Sequence, residues 1–462
     1  MLPSLLGFAA ALVPLLLLLA WLERRAARQR EAAARAELDD ARSRGSDQPL
    51  AQHPQIDALQ CVGCGLCVKA CPEEGVLALL DGVARVVHGA RCVGHGRCET
   101  ACPVGAIRVG LGALAQRNDL PLLSATQESS VPGLFVAGEL SGIALIRHAI
   151  GQATTAVDEI TRRSGGRRAA TPVVDVAIVG AGPAGLAAAL RSIEHKLTHV
   201  LLEQDALGGT LLHYPRQKLV MTQPVELPLL GRLTKSEYLK EELVELFEEA
   251  ARRFPLQVRT QTRVESIERE GEQFVVTTRG GANGDEIGEV RARHVVLALG
   301  RRGTPRKLEV PGEELPKVAY RLIDATLWRN ADLLVVGGGD SAVEAALALA
   351  GQPGNRVTLS YRKEAFFRLK RRNEERIAAA QASGRVQVLF RSDVVAIDRD
   401  AVTLTVRGDG GTRTVTLDNQ QLFVFAGGTP PFGLLRAAGV AFPPPLDAAA
   451  GVPEPARTRG AR

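Results

Sequence analysis

Eight residues between positions 61 and 102 have the types and spacing to hold iron and sulfide. Cys61, Cys64, Cys67 and Cys71, followed by Pro72, form C-x2-C-x2-C-x3-C-P. Cys92, His95, Cys98 and Cys102, followed by Pro103, repeat that spacing with histidine in the second slot. Together these runs hold all 7 cysteines of the chain. Thiolates at these intervals wrap an iron–sulfur cubane, and the last cysteine of each run reaches across to the other cluster. Cys61, Cys64, Cys67 and Cys102 are therefore expected around one 4Fe-4S cluster. Cys92, Cys98 and Cys71 are expected around the second, with His95 as a candidate fourth ligand. The alternatives are a zinc site or disulfides. Zinc more often takes two CxxC pairs separated by a longer loop, and clustered cysteines with no pairing framework elsewhere suit a reducing compartment.

His95 leaves the second cluster open. A missing central cysteine is the pattern of a three-iron, 3Fe-4S cluster in seven-iron ferredoxins. A histidine-ligated 4Fe-4S cluster is equally compatible and would sit at higher potential, as histidine ligation does in Rieske centres. In the third reading His95 ligates nothing and fills the loop.

Two glycine turns follow downstream. The apolar run 173–179 enters Gly180-Ala-Gly182-Pro-Ala-Gly185 and an alanine-rich helix, and the next strand, 199–203, ends on Glu203. Gly180 suits the tight turn, Gly182 the approach of a pyrophosphate, Gly185 the packing of helix on strand, and Glu203 the ribose hydroxyls. The construction recurs: 332–336 enters Gly337-Gly-Gly339-Asp-Ser-Ala342 and another helix. The strand after it, 356–360, carries Tyr361-Arg362-Lys363 at its tip in place of an acid. Arg362 and Lys363, with Arg368 as a further charge, favour the 2′-phosphate of NADPH over NADH. The alternative for Arg362 and Lys363 is an ordinary solvated loop. Lys370-Arg371-Arg372 reads as the polar face of a helix.

The cysteine runs resemble a bacterial-type two-cluster ferredoxin module. The two glycine turns, one acid-tipped and one base-tipped, resemble the thioredoxin-reductase-like flavoproteins, and 180 to 431 especially resembles their bacillithiol-disulfide-reductase-like branch. The resemblance implies FAD at the first turn and NADPH at the second, with Gly208 and Gly209 passing the flavin. It also makes 295–300 the crossover strand between domains and 422–430 the strand closing the nucleotide domain. Two departures matter. No cysteine lies beyond Cys102, and position 184 is Ala, so no resident thiol is available for disulfide reduction. The family's closing FAD segment is missing after Pro431 and is matched upstream by 131–142 and the helical pattern 143–160. Gly138 and Glu139 stand there at the flavin ribityl and pyrophosphate, with Glu139 replacing the family's aspartate. The implied FAD domain is permuted, its last segment moved to the front; the alternative is a stray strand and helix at 131–160. Permutation is tolerated where termini lie close together.

These sites need elements to carry them, and 462 residues at 45% hydrophobic composition provide for several domains. The 47 glycines and 4% aromatics suit α/β layers rather than an aromatic-packed β core. The fold class expected is α/β: two Rossmann-like domains, preceded by an α+β ferredoxin-like domain and one amino-terminal transmembrane helix. Positions 1–22 are uncharged and rich in Leu and Ala, long enough to span a bilayer, with Trp21 at an interface and arginines following. Charge after the apolar core, not before it, disfavours a cleaved signal peptide. The localisation expected is the cytoplasmic membrane, single-pass, amino terminus outside and cofactor domains in the cytoplasm. A charged linker is expected at 23–56, the ferredoxin domain at 57–112, the permuted segment at 131–160, the FAD domain at 173–303, the NAD(P) domain at 304–430 and a disordered tail at 431–462. The net charge of +6 comes with no aromatic-studded basic surface, which excludes nucleic acid as a partner.

The function expected is that of a membrane-anchored iron–sulfur flavoprotein. It moves electrons between NAD(P)H, FAD and the clusters, to or from an external carrier (a ferredoxin-like protein or a quinone). A homodimer is compatible with the sequence. No acid–base pair or nucleophile is assigned, because electron transfer requires none. The alternatives are a flavin-dependent reductase of an organic substrate, fed by the clusters, and a redox sensor or scaffold without turnover.

Overall fold

The structure is a computed structural model that describes residues 2–49, 52–110, 119–143, 145–214, 216, 218–221, 224–235, 237–280, 286–301, 304–408 and 410–444. The chain divides into two compact units. One comprises Met1–Gly112 together with Lys363–Ala379, the other Ala113–Arg362 with Ala380–Arg462.

The first unit opens with a helix of 42 residues, Leu2–Ser43. The expected membrane span does not hold: no helix among the described residues is long and apolar enough to cross a membrane. The leucine-rich turns are one end of this single helix, which contains Pro14 and is charged from Glu23 onward. The localisation at a membrane, and the membrane as partner, are therefore withdrawn. Nor do residues 23–56 form a free spacer. Arg35 pairs with Asp81 at 2.6 Å, and Glu31 accepts the Asp81 backbone N–H at 2.9 Å. Ala41, Ser46 and Gln52 are buried, and the strand His53–Ile56 pairs antiparallel with Ile107–Gly110. The cluster-bearing fold thus begins at His53.

Within it, the hairpin of Leu77–Leu80 and Val83–Val86 and two short helices, Leu66–Ala70 and Arg97–Thr100, surround the cysteines. Each helix is entered through a left-handed glycine, Gly65 with φ 72° and Gly96 with φ 76°. A side chain would resist that conformation, so the glycines let each cysteine run turn back on itself. Cys67 and Cys98 are buried with Val76, Leu77, Ala84 and Ile107 in a small core.

The second unit holds two parallel-sheet layers. In the first sheet, Val258–Arg259, His199–Leu202, Val174–Val179, Glu286–Leu297 and Leu134–Val136 run side by side in parallel. The antiparallel strands Gln273–Gly280 and Thr262–Glu270 continue from the long strand Glu286–Leu297. The strand from residues 134–136 is thus part of this sheet, in register Val295 with Leu134. The helix Ile146–Ser164 that follows it is buried through Ile150, Ala153, Val157 and Ile160 in the same core as Leu186, Ala187 and Leu190 of helix Pro183–Glu194. Alanines at this seam let the helices approach closely.

The second sheet is wholly parallel, in the order Val318–Ala319, Gln421–Val424, Asp332–Val336, Arg356–Tyr361, Val386–Phe390. A three-stranded antiparallel sheet, Ser392–Ile397, Ala401–Gly408 and Gly411–Asp418, follows it in sequence. Beyond Pro431 the chain is not unfolded at once. Phe432–Ala437 is a helix, and Leu435 and Val440 are buried against Leu134 and Ile267 of the first sheet's core. That apolar burial outweighs the low-complexity composition up to residue 444; 445–462 lie outside the described residues.

Candidate functional site: cysteine cavity and two glycine turns

Cys71, Cys92, His95 and Cys98 line one cavity of about 320 Å³, including its open mouth, together with Pro72, Glu73 and Arg97. Cys67 lies close enough to Cys61 and Cys64 for their charges to act on it. The Cys61 sulfur accepts the Ala84 N–H at 3.5 Å and the Cys102 sulfur the Ala106 N–H at 3.2 Å. Hydrogen bonds of this kind to cysteine sulfur stabilise negative charge and tune cluster potential.

The donor set fits an iron–sulfur group. Burial pushes the Cys98 thiol up to about 11, and burial likewise raises Cys67, Cys71 and Cys92. Thiolates this buried need positive charge among them, and displacement of their protons by metal provides it. Among the described residues no three His, Cys, Asp or Glu converge to hold a single metal ion. Three thiols and an imidazole lining one cavity are a donor set that fits a cubane.

His95 is buried, and its Nε2 lies 3.4 Å from Glu73 Oε1. The same oxygen receives Lys370 Nζ at 2.6 Å. Burial alone would raise the Glu73 carboxyl, but the His95 hydrogen bond and the Lys370 charge outweigh it and hold the pKa below the ordinary value. Neither Glu73 nor Lys370 stands out in the sequence. Lys370 reads there as one residue of a polar helix face, yet it sits just ahead of helix Arg371–Ala382 and reaches a residue nearly three hundred positions away.

The first glycine turn is closed tightly. The Gly180 N–H donates to Leu202 O at 2.7 Å with φ 102°, and a Cβ there would lie 2.7 Å from Ala298 O. A Cβ on Gly185 would fall 1.7 Å from Gly180 O. Gly182 caps the helix Pro183–Glu194 and has open space where its Cβ would point, as a pyrophosphate approach requires. Glu203 is buried at the end of its strand. One of its oxygens accepts the Ala181 N–H at 2.7 Å and the other the Asp205 N–H at 2.9 Å. Gly208 and Gly209 are brought to this turn: the Gly208 N–H donates to Ala181 O at 3.0 Å, and a Cβ on Gly209 would lie 3.2 Å from Gly182 Cα. Gly138 joins them. Its Cβ would lie 3.4 Å from that of Ala184 and 3.8 Å from that of Ala149, so the first turns of both helices meet beside it. Glu139 follows in a short 3-10 turn, partly buried. Gln152 accepts the Gly138 N–H at 2.9 Å and the Ser141 hydroxyl at 3.1 Å, a support that no motif announces.

The second turn repeats the backbone. The Gly337 N–H donates to Ser360 O at 2.9 Å, with φ 147°. Gly339 caps helix Asp340–Ala350, and Ala342 is buried in its first turn. The Tyr361 ring lies over Gly338, where a Cβ would be 2.1 Å from the ring. Arg362, Lys363 and Arg368 are exposed. Arg362 stays with the second unit, whereas Lys363 and Arg368 lie in the segment that groups with the first. There Lys363 Nζ sits 3.8 Å from the centre of the Phe367 ring and Arg368 lies over the same ring at 5.8 Å.

Comparison with known proteins gives a family for each part of the chain. Residues 53–103 match the family described as 4Fe-4S dicluster domain. Residues 177–444 match the family described as pyridine nucleotide-disulphide oxidoreductase. Ferredoxin--NADP reductase of Ignicoccus hospitalis is 31% identical over 261 residues, which is 56% of this chain and 78% of that one. Thioredoxin reductase of Mycolicibacterium smegmatis is 30% identical over 51% of this chain and 68% of its own length. Among solved structures, bacillithiol disulfide reductase of Bacillus cereus superposes with a TM-score of 0.52 at 29% identity, covering 58% of this chain and 82% of that one. The chain is thus an NAD(P)H-dependent oxidoreductase whose cofactors are FAD and iron–sulfur clusters. By the match over more than half its length, it belongs to the pyridine nucleotide-disulphide oxidoreductase family, here with a 4Fe-4S dicluster domain ahead of the nucleotide-binding part.

Proposed function

We propose that this protein exchanges electrons between NADPH and a small electron-carrier protein of the ferredoxin type, using the dicluster module as its built-in relay. The observation that carries this reading is the pairing of a cysteine-lined cavity with two dinucleotide turns in one chain that has no cysteine after Cys102. Ala184 stands beside the flavin turn, so the disulfide chemistry named in several relatives has no thiol to start from. When bound, a flavin would accept one hydride, a two-electron carrier, from nicotinamide and pass the electrons on singly, as clusters need them.

Each side chain has a task in this reading. Gly180, Gly182 and Gly185, with Gly208 and Gly209, leave backbone N–H groups and a helix amino terminus open to the FAD pyrophosphate, and Glu203 fixes the turn for the ribose. Gly138 and Glu139 complete the site from a segment that precedes the domain in sequence, which is a permuted arrangement and joins the flavin site closely to the cluster module along the chain. Gly337, Gly339 and Ala342 form the second turn. Arg362, at the tip of the strand after that turn, selects the 2′-phosphate of NADPH. Cys61, Cys64, Cys67 and Cys102 hold one cluster; Cys71, Cys92 and Cys98 hold the other, with His95 at its edge.

The test is anaerobic mixing of the reconstituted full chain with NADPH and, separately, with NADH. Flavin bleaching is followed optically and the clusters by EPR. NADPH should bleach the flavin at least about tenfold faster than NADH, with cluster signals following. A flavin that bleaches while both clusters stay silent would sink the relay. Reoxidation by an added organic compound, but by no carrier protein, would replace it with a substrate reductase.

A further inference from the structure

The cavity of Cys71, Cys92 and Cys98 carries a charge arrangement that cluster ligation does not explain. Glu73, two residues after Cys71, puts a carboxylate on the cavity wall with only 11% of its side chain exposed. His95, in the slot of the missing cysteine, points Nε2 at that carboxylate. Lys370 reaches the same oxygen from a segment distant in sequence. The segment is held in place on both sides of Lys370. The buried Arg91, next to Cys92, donates Nε to Leu369 O at 3.0 Å and pairs with Glu374, which Arg44 also contacts at 2.9 Å. All these residues belong to one compact unit, so the arrangement is internal to it.

We propose that Lys370 is a positioning residue for the second cluster. By neutralising Glu73 and holding it against His95, it raises that cluster's reduction potential relative to an otherwise bare carboxylate wall. This inference rests on the assignment of Cys71, Cys92 and Cys98 as cluster ligands. The physical basis is charge. Addition of one electron at this cavity, drawn from NAD(P)H, makes and breaks no bond at these side chains but adds a negative charge beside a half-enclosed carboxylate. In a poorly screened interior that repulsion is large, and a lysine ammonium at hydrogen-bond distance cancels most of it. The two clusters then differ in potential through Lys370, Glu73 and His95 as well as through their ligands. The segment Lys363–Ala379, which begins directly after Arg362 at the tip of the second nucleotide turn, acquires a role at the iron.

The experiment is a mediator-poised redox titration of the full reconstituted chain, reading the EPR signal of each cluster. Lys370→Met should make the second cluster about tenfold harder to reduce, a shift of roughly 59 mV for a one-electron couple. Glu73→Gln should shift it in the opposite direction, and the double variant should return close to the parent value. Lys370→Arg should retain it. The first cluster's midpoint should stay put throughout and serves as the internal control for folding. Unmoved second-cluster midpoints in both Lys370→Met and Glu73→Gln, with both signals intact, overturn the inference alone. Should Lys370→Met not fold, an unmoved midpoint in Glu73→Gln suffices to overturn it. Absence of any second signal from the unsubstituted protein overturns the cluster assignment itself, and the inference with it.

Discussion

The two glycine turns share one backbone and differ in their side chains, and three of the differing positions divide their work. In both, the first glycine donates to a carbonyl at the end of the next strand, Leu202 in one and Ser360 in the other. The residue after that carbonyl is Glu203 in the first turn and Tyr361 in the second. Glu203 binds the middle residue of its turn through the Ala181 N–H, whereas Tyr361 lays its ring across Gly338. The third small position is Gly185 in one and Ala342 in the other, because only the first turn brings a carbonyl oxygen within 1.7 Å of where a Cβ would be. A polar clamp therefore fixes the first turn from below, and an aromatic lid lies on the second. The first suits a cofactor that stays bound and the second one that comes and goes.

That contrast can be broken most severely at Gly185. Gly185→Ala drives a methyl into Gly180 O, and neither atom can yield without opening the turn. FAD retention, read as the flavin-to-protein ratio after gel filtration, should fall at least about a hundredfold in affinity, while iron content is kept. Glu203→Ala comes next. It removes a carboxylate that two backbone N–H groups share, at a cost of about 3 kcal/mol, or some two decades in FAD affinity; Glu203→Gln should recover part of it. Gly338→Ala should raise KM for NADPH about tenfold without loss of flavin, because the Tyr361 ring must move from its place. Pairing it with Tyr361→Ala should relieve the clash. Arg362→Ala should raise KM for NADPH by severalfold and leave NADH nearly unchanged, since only one cofactor carries the 2′-phosphate. Smallest is Ala342→Gly, which converts the second turn to the glycine pattern of the first. Its cost should be about 1 kcal/mol of helix propensity, seen as a small drop in Tm with kinetics unaltered.

A second contrast, between the cysteine runs, shows where sequence reading stops. The spacing of Cys61 to Cys71 and Cys92 to Cys102 announces clusters by itself, because ligand geometry is local and written in short intervals. The glycine fingerprints are legible for the same reason. The partner of His95 is not. Its neighbour Glu73 lies in the other cysteine run, and Lys370 lies in a segment that composition marks only as polar surface. Tyr361 was hidden beneath the basic pair that follows it, and the misread apolar start of the chain shows the converse error. A hydrophobic run of bilayer length reads as a span, but it forms one end of a 42-residue helix whose later turns lie against the hairpin at Asp81.

By itself, then, the sequence determined the cofactor chemistry of this protein: thiolate ligands at cluster spacing, two dinucleotide turns, and no cysteine after Cys102. These are short-range patterns, and a ligand or a tight turn admits few residue types. Only the tertiary structure decided how strand Leu134–Val136 joins the sheet ahead of its own domain, and that Pro431 is not the end of the fold. It also decided which charges face the second cluster. Those depend on residues far apart in the chain meeting across a packed core, where burial, not spacing, selects the partner.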